Sequence, residues 1–105
     1  MKNEKAKAYK MTEKVFLYPG ETANWHFLPI TKGVGQELKA KYGKLAKGFG
    51  SLPVTVMIGE TVWDTSIFPD KYSGSYILPV KAKVRKNEDI EAGDKVAFSI
   101  TLRTL

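Results

Sequence analysis

Over most of this chain hydrophobic and polar positions alternate with a period of two, and only twice does the spacing lengthen to that of a helix. Residues 12–18 contain the apolar run Val15-Phe16-Leu17-Tyr18, which predicts a strand buried on one face and covered on the other. Pro19-Gly20 supplies a turn, and residues 25–28 read as a short second strand ended by Pro29. From Ile30 onward Ile30, Val34, Leu38, Tyr42, Leu45 and Phe49 recur every three or four positions, while Gln36, Glu37, Lys39, Lys41 and Lys44 fall on the other side. That spacing predicts an amphipathic helix over residues 32–42 with Gly43 as its stop. Gly33 and Gly35 each cost it about 1 kcal/mol relative to alanine.

Strand signals then return. Val54, Val56 and Ile58 alternate with Thr55 and Met57, Gly59-Glu60 turns the chain, and residues 62–68 come back as the second arm of a hairpin. Pro69-Asp70 predicts a further turn, residues 75–78 a further strand, and Pro79 the first position of a short helix running to Asn87. Gly93-Asp94 turns the chain into residues 95–103, where Val96, Phe98, Ile100 and Leu102 alternate with Lys95, Ala97, Ser99, Thr101 and Arg103. This is the in-out pattern of a sheet with its core on one side.

The two halves also resemble each other. An offset of fifty residues sets Leu17-Tyr18-Pro19-Gly20 against Ile67-Phe68-Pro69-Asp70 and, without a gap, Phe27-Leu28-Pro29-Ile30 against Ile77-Leu78-Pro79-Val80 and Val34 against Val84. Both halves read strand, proline turn, strand, Leu-Pro, helix, strand, with the matches at backbone-fixing prolines and core-anchoring apolar positions. Chance likeness between two generic strand-turn-strand units is the alternative. After the helices the register slips, because Gly50-Ser51 would answer Gly93-Asp94, and the longer first helix with the 44–50 loop would absorb about seven extra residues.

With 105 residues, 43% of them hydrophobic and 27% charged, the chain has material for one core. A single β domain is expected over residues 12–105, preceded by a disordered basic tail over residues 1–11 that holds Lys2, Lys5, Lys7 and Lys10 and no apolar run. Neither a secretory signal nor a membrane span is present, so a soluble cytoplasmic protein without a membrane partner is expected. Cysteine is absent, which excludes disulfides, thiol catalysis and cysteine-ligated metals; with His26 the lone histidine, no metal or cofactor is expected. The formal charge of +6 invites a polyanion partner. Yet fifteen of the seventeen basic residues are lysines, and only Arg85 and Arg103 offer the planar fork suited to phosphate or guanine.

The catalytic inventory is thin, since catalysis needs convergent groups such as a nucleophile within reach of a base. His26 lies between Trp25 and Phe27 and is answered in the repeat by Tyr76, which suits a strand histidine better than a general base. Ser51, Ser66, Ser73, Ser75 and Ser99 lack a nucleophile motif. Glu88, Asp89, Glu91 and Asp94 lack calcium-loop spacing and read as a solvated turn. Gly48-Phe49-Gly50-Ser51 leads into a strand instead of a helix, so it is no phosphate loop. Two groups remain as candidate binding residues: the cations Lys81, Lys83, Arg85 and Lys86 toward nucleic acid, and the aromatics Trp63 and Tyr72 toward a ligand. Against them stand structural roles, Trp63 covering a barrel end and Arg85 clamping Asp94 or a helix carbonyl.

The segment Ser75-Tyr76-Ile77-Leu78-Pro79-Val80-Lys81-Ala82-Lys83-Val84-Arg85-Lys86, followed by Ile90-Glu91-Ala92-Gly93-Asp94-Lys95-Val96, resembles the domain-of-unknown-function family nineteen-oh-five, small bacterial proteins sometimes joined to a domain linked by name to bacteriocin protection. Leu52-Pro53-Val54-Thr55-Val56-Met57-Ile58-Gly59, Thr65-Ser66-Ile67-Phe68-Pro69 and the turn at Ser73-Gly74 extend the likeness over nearly all of the chain after Thr12. The order strand, Leu-Pro, helix with Arg-Lys, Gly-Asp, strand is also similar to AbrB and MazE proteins, DNA-binding regulators and antitoxins in which two chains exchange hairpins to make one barrel. With both halves in one chain, the resemblance implies a mainly β, monomeric double-split β-barrel (pseudobarrel) of two repeated β-β-α-β units, capped by two short helices. The function expected is a non-catalytic binding or accessory module of unknown ligand, without a pocket furnished for reactions. The alternative is an AbrB-like nucleic-acid-binding regulator, and a small enzyme ranks last.

Overall fold

The computed structural model of the protein describes residues 7–18 and 25–103. Its strands are β1 (Ala8–Lys14), β2 (Phe16–Leu17), β3 (His26–Pro29), β4 (Leu52–Ile58), β5 (Thr61–Asp70), β6 (Ser75–Pro79) and β7 (Lys95–Leu102), with helices α1 (Lys32–Tyr42) and α2 (Ala82–Glu88). All pairings are antiparallel, in the order β1-β7-β4-β5-β6-β3-β2, giving a mainly β fold in which one seven-stranded sheet curls into a half-barrel.

Two long strand segments cause the curl. The first seven residues of β5 pair with β4 and its last three with β6, so the strand passes from one ladder into the next. The chain does the same at its start, where β1 pairs with β7, Val15 intervenes, and β2 pairs with β3. The two edges of the sheet are therefore one residue apart in sequence. Val15 is buried and holds that junction: its N–H donates to the Asp94 carbonyl at 2.9 Å and its carbonyl accepts from Gly93 N–H at 2.8 Å. The concave face holds the core, including Leu28, Leu52, Val54, Val56, Ile67, Leu78 and Ile100, all fully buried. Each such side chain contributes about 1.5–3 kcal/mol by leaving water. Leu28 and Leu78 face each other directly across the β3–β6 ladder.

The helix read from the sequence is found over its predicted span, capped by the Thr31 hydroxyl, which accepts from Val34 N–H at 3.4 Å. The Gly59-Glu60 hairpin and the final strand also stand where predicted. Four readings need correction. The expected tail is ordered strand from Ala8, because Tyr9 and Met11 alternate into the core between solvated neighbours; residues 1–6 of that tail, and Pro19-Gly20, lie outside the described residues. The single strand at 12–18 is two strands with different partners. Pro69 and Asp70 close β5, and the turn follows at residues 71–74. Pro79 ends β6 instead of opening α2, whose N-cap is Lys81, since Val80 N–H still donates sheet-fashion to the His26 carbonyl at 2.9 Å. Among the described residues no helix is long and apolar enough to cross a membrane.

Candidate functional site

The β5–β6 turn, the start of α1 and the loop after α1 meet at one corner of the sheet. α1 approaches β6 closely because position 35 has no side chain: a Cβ there would overlap Ser75 Oγ. Ser75 is buried, and its hydroxyl donates to the Thr31 carbonyl at 3.2 Å, tying the sheet to the residue that caps the helix. The β5–β6 turn is closed by Gly74 N–H donating to the Asp70 carbonyl at 2.8 Å, with Gly74 at φ +76. On the far side Gly50, also at positive φ, lies against the ring of Pro69.

These contacts leave a cleft of ≈ 680 Å³ between α1, the loop and the turn, lined among others by Tyr18, Gln36, Lys39, Asp70, Lys71 and Tyr76. Asp70 is 9% exposed and its Oδ1 accepts from the Tyr18 hydroxyl at 3.3 Å. Burial, and after it the negative charge of Asp70, raises the Tyr18 hydroxyl above the usual tyrosine range. Tyr76 is 5% exposed, and burial raises its hydroxyl too. Tyr76 belongs to the core cluster as well as to the cleft lining, and among the described residues its hydroxyl makes no hydrogen bond.

One wall continues into a row of aromatic rings. Trp25 stacks on Phe27 at 6.1 Å between centroids, Phe27 meets Phe16 at 5.9 Å and Tyr18 edge-on at 5.6 Å, and Tyr18 meets Tyr72 at 6.3 Å. Phe16 with Tyr18, and Trp25 with Phe27, share a face because they lie two residues apart in extended chain. Tyr72, 77% exposed, ends the row, with Lys71 Nζ 5.8 Å from its ring centre.

Of the two aromatics singled out in the sequence, only Tyr72 belongs here. Trp63 stands opposite Val56 near the other end of β5, about 23 Å away at strand rise, and its half-buried indole packs against the core. Lys81, Lys83 and Lys86 are exposed on or beside α2, whose last residue Glu88 accepts from the Thr61 hydroxyl at the Trp63 end of β5. Arg85 is half-buried, and its Nε donates to the Val80 carbonyl at 3.1 Å; it clamps backbone ahead of the helix rather than Asp94, which instead accepts from Glu91 N–H at 2.8 Å. The cations and Tyr72 are thus not brought together. His26 lies in β3 opposite Leu17. Asp70, Tyr18 and Tyr76 were missed in the sequence because Asp70 reads as a turn residue and each tyrosine as strand packing; the i, i+2 aromatic pairs were the available signal.

A family model described as Domain of unknown function (DUF1905) matches residues 13–100. No curated protein matches the chain.

Proposed function

The chain belongs to the DUF1905 family, and from that footing we propose that it is a non-catalytic binding module whose ligand enters the cleft between α1 and the β5–β6 turn. The observation that carries this is the pair of recessed polar residues in the cleft lining, Asp70 and Tyr76 with its unbonded hydroxyl, next to the aromatic row in which the lining residue Tyr18 meets the exposed ring of Tyr72. An apolar or aromatic wall with a few convergent polar groups is the general form of a small-molecule site. Among the described residues the cleft holds one buried carboxylate and no serine free to attack, since Ser75 Oγ donates to a backbone carbonyl, which favours binding over turnover.

The scaffold of this module is a double-split barrel made by duplication. In support, α1 and α2 begin fifty residues apart, β3 and β6 pair symmetrically about Leu28 and Leu78, and each half contributes one strand segment that crosses between ladders. Phe16 opposite Phe27 corresponds to Phe68 opposite Ile77, so the first strands are offset by fifty-two residues and the ungapped proline alignment slips by two. Both halves in one chain remove the need for hairpin exchange, so the module acts as a monomer, and its lack of cysteine suits a reducing cytoplasm.

Titration of the labelled protein with small glycans, amino acids, dipeptides and nucleotides, read by NMR shift changes, tests the site. Binding should perturb Tyr18, Asp70 and Tyr76 and weaken at least tenfold in Tyr72→Ala and Asp70→Asn, each removing about 1.4 kcal/mol or more of interaction. Shifts confined to other surfaces, or turnover of an ester, phosphate or glycoside that is lost in His26→Ala, would overturn the reading.

A further inference from the structure

The loop between α1 and β4 carries an exposure that neither the core nor the cleft explains. Phe49 is 98% exposed and Leu45 55%. Phe49 also holds φ at 60°, between Gly48 and Gly50. A bulky aromatic is disfavoured in that left-handed region, where glycine or asparagine would sit without strain. The ring is therefore held in water against both its backbone preference and its hydrophobicity. Its base is pinned: Gly50 N–H donates to the Lys47 carbonyl at 2.8 Å, Lys47 N–H to the Ser51 carbonyl at 2.9 Å, and Gly50 abuts Pro69.

The charge around it has one sign. Between Leu38 and Gly59 the sequence has Lys39, Lys41, Lys44 and Lys47 and no acidic residue. Lys41 is held by Glu37 at 3.1 Å; Lys39, Lys44 and Lys47 are exposed and make no ion pair among the described residues. Across the contact with Pro69, the carboxylate of Asp70 is recessed and bonded to Tyr18, while Lys71 is exposed. Apolar tips set among solvated lysines match a bilayer surface rich in anionic headgroups, where the ammonium groups meet phosphate and the rings enter the acyl boundary. A nucleic-acid strand fits less well, because it stacks on ring faces laid along a groove and gains nothing from Leu45.

We infer that residues 44–50 dock the domain on an anionic lipid surface, with Phe49 and Leu45 inserted and Lys39, Lys44 and Lys47 against the headgroups. This contact shares Lys39 and the 43–50 loop with the outer wall of the cleft but does not require the cleft to be occupied.

Cosedimentation of the full chain with vesicles of phosphatidylcholine containing phosphatidylglycerol, and with phosphatidylcholine alone, tests it; a single-stranded DNA oligomer is titrated separately. Expected are binding to the anionic vesicles only, weakening with added salt, a loss of about fivefold in Lys47→Gln and of about thirtyfold in Phe49→Asn. Phe49→Asn relieves the left-handed strain, so its thermal midpoint should equal or exceed the parent's, separating lost contact from lost fold. The inference is overturned by absence of sedimentation, by equal binding to neutral vesicles, by anionic binding that Phe49→Asn leaves unchanged, or by Phe49-dependent binding of the oligomer without binding of vesicles.

Discussion

Replacing Gly35 with alanine sets helix propensity against packing, and the two differ in sign. Propensity alone predicts a gain of about 1 kcal/mol inside α1. The new Cβ, however, would overlap Ser75 Oγ and stand 3.0 Å from Ser75 Cβ. Rotating the serine away forfeits its bond to the Thr31 carbonyl, about 1 kcal/mol, and leaves the carbon contact, so helix or strand must shift at about 1–3 kcal/mol. Net of propensity, Gly35→Ala should destabilise the domain by about 1–3 kcal/mol, a fall in Tm of about 4–8 °C for each 1 kcal/mol in a domain of this size. Ser75→Gly removes both obstructing atoms and leaves the Cα of residue 75 at 3.4 Å, an ordinary contact. In that background the same alanine should be neutral or stabilising. A urea-denaturation cycle over the four proteins should therefore return a coupling of about 2 kcal/mol. A Gly35→Ala protein more stable than its parent would refute the close approach of α1 to β6, and with it the inner wall of the cleft.

Three further outcomes follow from groups outside the cleft. Glu37 accepts hydrogen bonds from Tyr9 and Lys7 and pairs with Lys41, which holds its carboxyl at about 2. Because the folded value lies below the ordinary 4.5, its contribution is present above that pH and lost as pH falls toward 2; unfolding by urea across that range should show a slope that Glu37→Gln flattens. Tyr9, pushed up to about 12 by burial and then by Glu37, works in the other direction, its contribution complete below pH 10 and lost as pH rises through 12. Arg85→Ala should cost about 1–2 kcal/mol through the unpartnered Val80 carbonyl, while leaving affinity for the DNA oligomer unchanged; a stable variant with weakened DNA binding would restore the basic helix as an interface.

What the sequence made legible was local. α1 announces itself by its period and by Gly43 after it, β7 by clean alternation, and the β4–β5 hairpin by Gly59-Glu60. β1 did not, because lysines at positions 7, 10 and 14 mask Tyr9 and Met11, and the partner that makes the strand worth forming, β7, lies some ninety residues away. Val15 reads as strand interior because only the tertiary closure shows it passing between two edges. Pro69 and Pro79 mislead in the same way: each marks the end of a strand, yet Pro69 still stands opposite Tyr76 and Pro79 opposite Phe27, since a ladder tolerates proline at its terminus. Likewise the cleft is built by Gly35 against Ser75, and Asp70 against Tyr18, contacts spanning forty and fifty-two positions that no motif carries.

The surfaces to which binding is assigned lie where the two halves differ. Each helix must return the chain to the sheet beside a crossing strand: after α2, Gly93 and Asp94 reach Val15, and after α1, Gly50 reaches Pro69. The second half makes this return with residues 89–92, turning at once through left-handed Asp89 and burying Ile90. The first half uses residues 43–49, and its apolar members Leu45 and Phe49 stay in water. If the shorter return suffices for the fold, the surplus length, its lysines and its strained phenyl ring are not explained by stability. The same surplus forms the outer wall of the cleft, so the inequality of the two halves supplies the surfaces that can meet something else.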